Sequence, residues 1–222
     1  MFLGSAAVSE QNLMQIAYLA GSSRLILVVG MTLFICFHIR RSFDNREIEY
    51  NLSRPISRNQ FVYAYFLGFS LLSTIITIPL ILLLLTLFKV KLLVILLWSA
   101  SLLFEILIMS SFAILASLIL RSAVSAVLAC FCFYLISRII GFAVSSIIIP
   151  KQLSGMSITT LMESFLKITS IFLPRLDLFA KSKWLVYQNI DIALFNVVVL
   201  QTLIYIGLIL VMSLLDFRKR QF

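Results

Sequence analysis

The stretch RRSFDNREIEYNLSRPISRNQF, from Arg40 to Phe61, separates two apolar segments that are each long enough to cross a bilayer. It contains five arginines and three carboxylates in an otherwise largely uncharged chain. Because the residue before a proline disfavours helical geometry, a short helix over Ser42–Leu52 has to end before Pro55. Charges of mixed sign are typical of a surface that binds protein, so we expect a soluble partner to act here. An ordinary solvated loop is the alternative.

The composition of the whole chain is that of a membrane protein. Its 222 residues are 62% hydrophobic and 12% charged, whereas a soluble domain is about 45–50% apolar and about a quarter charged. A membrane-spanning helix needs roughly 20 predominantly apolar residues. We therefore predict an all-α, polytopic membrane protein that forms one transmembrane domain over residues 1–222. The five predicted spans, with the 40–60 segment after the first, are residues 13–39, 61–88, 92–120, 123–150 and 192–215.

Basic residues at the ends of the predicted spans indicate the orientation of the chain. The Arg40-Arg41 pair, Arg121 and the basic cluster at 218–220 fall on one side, which the positive-inside rule makes the cytoplasm. That side carries nine Lys and Arg against seven on the other, so the clusters at span ends decide the orientation, not the totals. The amino terminus is then outside, although MFLGSAAVSEQN has no signal-peptide pattern.

Three charged residues fall inside the predicted spans. Glu105 and Arg138 are equally far from the tight turn at Arg121-Ser122, which places both roughly 25 Å from the cytoplasmic side. Arg24 lies near the same level. Since charges within a membrane are costly, we expect Glu105 and Arg138 to pair. We favour a structural ion pair that fixes the register of the hairpin, and a substrate or ion pathway is the alternative.

Two further stretches predict local structure. The polar sequence Gly21-Ser22-Ser23-Arg24 predicts a face of the first span that packs against protein, and Pro79 predicts a bend in the second span. In the outer loop, apolar residues of Ser157–Leu173 recur at three- and four-residue steps, and PRLDLFAKSKWLVY follows with aromatic and basic residues. We expect two short external helices within residues 157–189, lying on or dipping into the outer leaflet.

The sequence lacks the patterns of common catalytic and metal sites. It contains no GxxxxGK[ST] phosphate loop, and its single histidine, His38, has no paired carboxylates or HExxH pattern. The cysteines, Cys36, Cys130 and Cys132, all fall within apolar spans, where we interpret them as small packing residues, not as a disulfide or a metal site. We expect no catalytic residue, no metal, no cofactor and no nucleic-acid partner for this chain.

The sequence REIEYNLSRPISRNQFVYAYFLG, residues 46–68, resembles the loop of type-2 ABC exporter permeases in which E-x-E and then L-S-R-P-I-S-R lead into the next span. In those permeases the loop is the coupling helix, which sits in a groove of a separate ATPase subunit. The outer PRLDLF–WLVY segment is similar to the family's external helices, and LDFRKRQF to its basic carboxyl end. The resemblance assigns ATPase coupling to Glu47, Glu49, Leu52, Ser53, Arg54, Pro55, Ile56, Ser57 and Arg58.

The resemblance covers nearly the whole chain, and SRPISR is its most specific part. It implies the permease subunit of an ATP-driven transporter, an exporter of the bacterial inner membrane. Its partners would be membrane lipid, an ABC ATPase subunit that binds ATP and Mg, and a second permease subunit, identical or different. Family permeases have six spans and a cytoplasmic amino terminus, so we expect a further span before Met1; a naturally shorter, degenerate subunit is the alternative.

Two other functions compete with this interpretation. An ion-coupled secondary transporter would use Glu105 within the membrane as its carrier site. Such transporters often contain inverted internal repeats, which this sequence does not show to inspection. A membrane-embedded enzyme acting on lipid would need clustered acids or histidines at the interface, and the sequence lacks them.

Overall fold

A computed structural model describes residues 2–45, 58–88, 90–148 and 173–219 of the chain. All regular structure in these ranges is helical, and five of the helices are long and apolar enough to cross a membrane. Over the described ranges, this confirms the predictions of an all-helical structure and of five candidate spans. The elements are α1 (Phe2–Asp44), α2 (Arg58–Leu87), α3 (Leu92–Ile119), α4 (Ala123–Ile148), a 3-10 turn (Leu176–Leu178), α5 (Ser182–Tyr187) and α6 (Ile192–Lys219).

The first helix continues further than its predicted span. It runs through Arg40 to Asp44, five residues beyond the predicted end at Ile39, so the polar stretch begins as helix. Within its last turn, Arg40 Nε lies 3.5 Å from Asp44 Oδ1, an i,i+4 ion pair. The second helix is continuous through Pro79. Residues 46–57, where the sequence predicts most of the coupling segment, lie outside the described ranges.

Helix α3 forms the centre of the bundle and packs against α1, α2, α4 and α6. Its position follows from its sequence, because small residues let neighbouring helices approach closely. Hydroxyls at such an interface bond within their own helix, as Ser110 and Ser111 do by donating to the carbonyls of Ile106 and Ile108. All five serines of the helix are buried: Ser99, Ser101, Ser110, Ser111 and Ser117.

Contacts between side chains establish the directions of the helices. Arg24 meets Glu105 and Arg138 in one layer, and Cys36 meets Cys130 further along α1. Helix α1 therefore runs antiparallel to α4. The short turn at Arg121-Ser122 makes α3 antiparallel to α4 as well, so α1 and α3 run in the same direction. Between α2 and α6, the rings of Phe61 and Phe217 stack with their centroids 5.4 Å apart, which fixes those two helices as antiparallel. The basic ends of α1, α3 and α6 therefore lie at one end of the bundle.

The polar face predicted for the first span is only partly packed. Arg24 is buried, but Gly21 is exposed and a Cβ placed there would meet nothing within 4 Å. Ser22 and Ser23 donate to the carbonyls of Tyr18 and Leu19, at 2.8 Å and 2.5 Å. Their hydroxyls are thus satisfied by their own helix and require no neighbouring element. Within this chain, Arg24 has the packing predicted for this face and Gly21 does not.

Candidate functional site

A buried charge cluster, formed by Arg24, Glu105 and Arg138, lies at the centre of the bundle. Glu105 has 0% exposure and stands at the midpoint of α3, thirteen residues after Leu92 and fourteen before Ile119. Arg24 Nε donates to Glu105 Oε2 at 2.6 Å, and Arg138 Nη1 lies 3.6 Å from Glu105 Oε1. The predicted pairing of Glu105 with Arg138 is present, but the shorter contact is made by Arg24.

The two arginines differ in how tightly they are held. The Arg24 side chain is 9% exposed, whereas that of Arg138 is 26% exposed and its guanidinium carbon lies 5.9 Å from the ring centroid of Tyr134. Arg138 Nη1 and Glu105 Oε1 make no hydrogen bond to any described residue, because 3.6 Å exceeds the length of a direct N–H···O bond. Arg138 therefore neutralises Glu105 through space, whereas Arg24 orients its carboxylate.

Arg24 also binds a segment that we call the strap, residues 174–187, which includes the 3-10 turn and α5. Its Nη2 donates to the Leu176 carbonyl at 2.9 Å and its Nη1 to the Ala180 carbonyl at 3.4 Å. From α3, Ser101 Oγ accepts a hydrogen bond from the Ala180 backbone N–H at 2.8 Å. One guanidinium thus joins α1 to both the core of α3 and the backbone of the strap.

The strap reaches deep between the helices. Ser101 is nine residues after Leu92, where α3 begins, so the strap contacts α3 about 14 Å below that end of the helix. Within the apolar layer of a membrane, irregular backbone is tolerated only where protein or water satisfies its polar groups. Arg24 and Ser101 supply these partners. The apolar side chains that anchor the strap are buried: Leu176, Phe179, Trp184 and Leu185.

A glycine on α4 lets the strap approach that helix. A Cβ at Gly141 would overlap the side chain of Asp177, whose Oδ2 lies 3.3 Å from Arg175 Nη2. Gly141 follows Arg138 by three residues, which places both on one face of α4. The strap therefore packs on α1, α3 and α4 together, each through a different residue.

The prediction of two external helices falls partly on described residues. Residues 174–187 contain the 3-10 turn and α5, and hydrogen bonds at Leu176 and Ala180 join this segment to α1 and α3. The predicted helix over Ser157–Leu173 lies outside the described residues except at its last position.

The residues that the resemblance assigns to ATPase coupling lie almost entirely outside the described part of the chain. Arg58 is the exception, as the first residue of α2. The eight others, which the structure does not describe, are Glu47, Glu49, Leu52, Ser53, Arg54, Pro55, Ile56 and Ser57.

The cysteines and the histidine lie apart from the charge cluster. Cys36 and Cys130 are buried free thiols whose sulfurs are 3.9 Å apart, and Cys132 is exposed. His38 stacks on Phe34 with ring centroids 5.6 Å apart and faces a groove of about 390 Å³ between α1 and α2. Within the described ranges, no three His, Cys, Asp or Glu residues are grouped closely enough to hold a metal ion.

Sequence reasoning identified the charged residues of the cluster but missed the strap residues and their anchors. Helical spacing could have indicated both anchors, since Ser101 precedes Glu105 by four residues and Gly141 follows Arg138 by three. The position of Ala180 has no such signal. Comparison of the chain with family models, with curated proteins and with solved structures gave no match.

Proposed function

We propose that this chain is the membrane permease subunit of an ATP-driven ABC transporter, an exporter of the bacterial inner membrane. It works with a separate ATPase subunit and a second permease subunit. The observation that carries the proposal is the sequence of residues 46–58, where E-x-E and SRPISR stand between two membrane-length helices. ATP and Mg then belong to the partner, since the sequence contains no phosphate loop of the GxxxxGK[ST] type.

The continuity of α1 supports a mechanical role for the segment. From Arg24 to Asp44 the helix is uninterrupted over twenty residues, a length of about 30 Å. A helix of this kind transmits an axial displacement with little loss, because every residue is hydrogen-bonded to the turn before it. A displacement of residues 46–57 by a bound ATPase therefore reaches the buried charge cluster.

Co-purification with a charge-reversed variant tests this proposal. We expect an ATP-binding-cassette protein, identified by mass spectrometry, to co-purify with the chain from its native membranes. Reversal of Glu47 and Glu49 to Lys should reduce its yield at least tenfold, because the carboxylates would face the ATPase groove. Lys183→Glu is the matched control, since this exposed residue lies on the strap and is not among the residues that the resemblance assigns to ATPase coupling. Equal recovery from both variants contradicts the proposal.

An ion-coupled secondary transporter is the second candidate, and the position of Glu105 favours it. A fully buried carboxylate midway along a membrane-length helix belongs either to a structural ion pair or to an ion pathway. In this mechanism Glu105 would exchange its two arginines for a proton or cation in each cycle. The purified chain, alone in liposomes under a proton gradient, would then move protons, and Glu105→Gln would stop the flux. A chain that carries no flux without an ATPase contradicts this mechanism.

A further inference from the structure

We propose that Arg24 is a latch that holds the strap inside the bundle, and that an axial displacement of α1 releases it. The guanidinium makes three hydrogen bonds in three directions, to Glu105 Oε2, the Leu176 carbonyl and the Ala180 carbonyl. A planar fork of fixed geometry satisfies all three acceptors only at one position of α1 relative to α3 and the strap. The latch is therefore sensitive to small movements of α1.

The distances show how small that movement is. The bonds to the strap are 2.9 Å and 3.4 Å long, and N–H···O bonds are weak beyond about 3.2 Å. An axial shift equal to one residue's rise, about 1.5 Å, is half the length of the shorter bond. A shift of this size is incompatible with holding all three acceptors, and the charge-assisted contact with Glu105, the shortest of the three at 2.6 Å, outlasts the longer bonds to the strap.

The backbone of the strap is strained at the residue that the latch holds. Ala180 has a φ of 41°, in the left-handed region that a residue with a Cβ disfavours. Its carbonyl is bound by Arg24 and its N–H by Ser101. Strained residues persist only where the surrounding structure holds them, so loss of the Arg24 contact removes one of the two bonds that maintain this conformation.

Release of the strap would uncover the charge cluster. The strap contacts α3 at Ser101, between Glu105 and the residue at which α3 begins, and it contacts Arg24 through the Leu176 and Ala180 carbonyls. The strap thus acts as a gate between the cluster and that end of the bundle. Coupling of this gate to residues 46–57 rests on the function proposed above; the latch itself does not.

Labelling of a cysteine under the strap tests the latch. Ala180→Cys is introduced together with Cys132→Ser, so that the buried native Cys36 and Cys130 remain as internal reporters of unfolding. The protein in liposomes is treated with a membrane-impermeant maleimide, and modification of each cysteine is followed by peptide mass spectrometry. Addition of Arg24→Lys retains the charge but loses the fork, and should speed labelling at position 180 at least tenfold with Cys130 still unmodified.

Arg138→Lys is the matched control, because Arg138 faces the same carboxylate but makes no hydrogen bond to the described strap. Its labelling rate should stay within twofold of the parent. If Arg24→Lys fails to fold, Ser101→Ala removes the second anchor of Ala180 and should also speed labelling. Equal rates in the parent and in the folded anchor variant overturn the latch. The measurement needs no ATPase subunit, so it stands or fails separately from the proposed function.

Discussion

Substitution of Gly141 by Ala measures how closely the strap packs on α4. An ideal Cβ at position 141 would lie 2.6 Å from Asp177 Cβ, and nearer still to Asp177 Cγ and Oδ1. Rotation about χ1 moves Cγ and Oδ1 of Asp177 but leaves its Cβ in place. Relief of the overlap therefore requires the backbone of the strap or of α4 to shift, since carbon atoms pack about 3.5–4.0 Å apart.

Two opposing effects set the change in the free energy of unfolding that Gly141→Ala causes. Overpacking in a well-packed core costs about 1–3 kcal/mol, whereas replacing glycine by alanine in a helix gains about 1 kcal/mol. Gly207→Ala on α6 isolates the second term, because nothing lies within 4 Å of a Cβ built there. The two variants should therefore differ by about 1–3 kcal/mol in the free energy of unfolding. At about 2–4 °C per kcal/mol for a chain of this size, Gly141→Ala should unfold about 2–12 °C below Gly207→Ala.

The assay is thermal unfolding in detergent, followed by the loss of near-ultraviolet circular dichroism from buried aromatic residues. Gly141→Ala is also combined with Ala180→Cys for maleimide labelling. Labelling at position 180 should then be faster than in the Ala180→Cys parent, because the strap is displaced. Equal unfolding midpoints for the two alanine variants would refute the close approach of Asp177 to α4. The same result would also refute the conclusion that position 141 requires a glycine.

Two further variants test the cluster and the end of the strap. Glu105→Gln should destabilise the protein by about 3–5 kcal/mol, because it leaves a buried arginine without its counter-charge; Arg138→Gln should cost less, since Arg138 is partly exposed and not hydrogen-bonded to Glu105. Folded yield and unfolding in denaturing detergent report both effects, and normal yield with abolished transport would contradict the structural role of Glu105. Asp191→Ala should cost about 1 kcal/mol, because Asp191 Oδ1 accepts hydrogen bonds from the N–H groups of Ala193 and Leu194 at 3.0 Å and 3.4 Å. Hydrogen exchange in the first turn of α6 should rise in Asp191→Ala and stay low in Asp191→Asn, and unchanged exchange in both would exclude the cap.

The depth of the charged residues was predictable from sequence because an α-helix rises by a constant amount per residue. Counting from the turn at Arg121 placed Glu105 and Arg138 at one level, and the structure has them in one ion pair. A separate count of sixteen residues back from Arg40 placed Arg24 near that level. It did not predict that Arg24 takes the closer position, since the count gives height along the bundle and no rotation about each helix axis.

The depth of the strap within the bundle was not predictable from the sequence. Aromatic and basic residues in PRLDLFAKSKWLVY predicted a segment near the membrane interface, and the structure places Ala180 against Ser101, well inside the bundle. That depth depends on hydrogen bonds from Arg24 to backbone carbonyls, which any residue provides and no side-chain pattern reveals.

The amino-acid sequence by itself predicted apolar helices of membrane length, including the five that the described residues contain, and which of their ends carry basic residues. These features depend on local composition and on helical rise, which each segment has without its neighbours. Only the tertiary structure decided which arginine holds Glu105, that α3 is the central helix, and that Gly141 makes room for Asp177. Those outcomes depend on how the helices rotate and pack around one another, which is set by contacts between residues far apart in the chain.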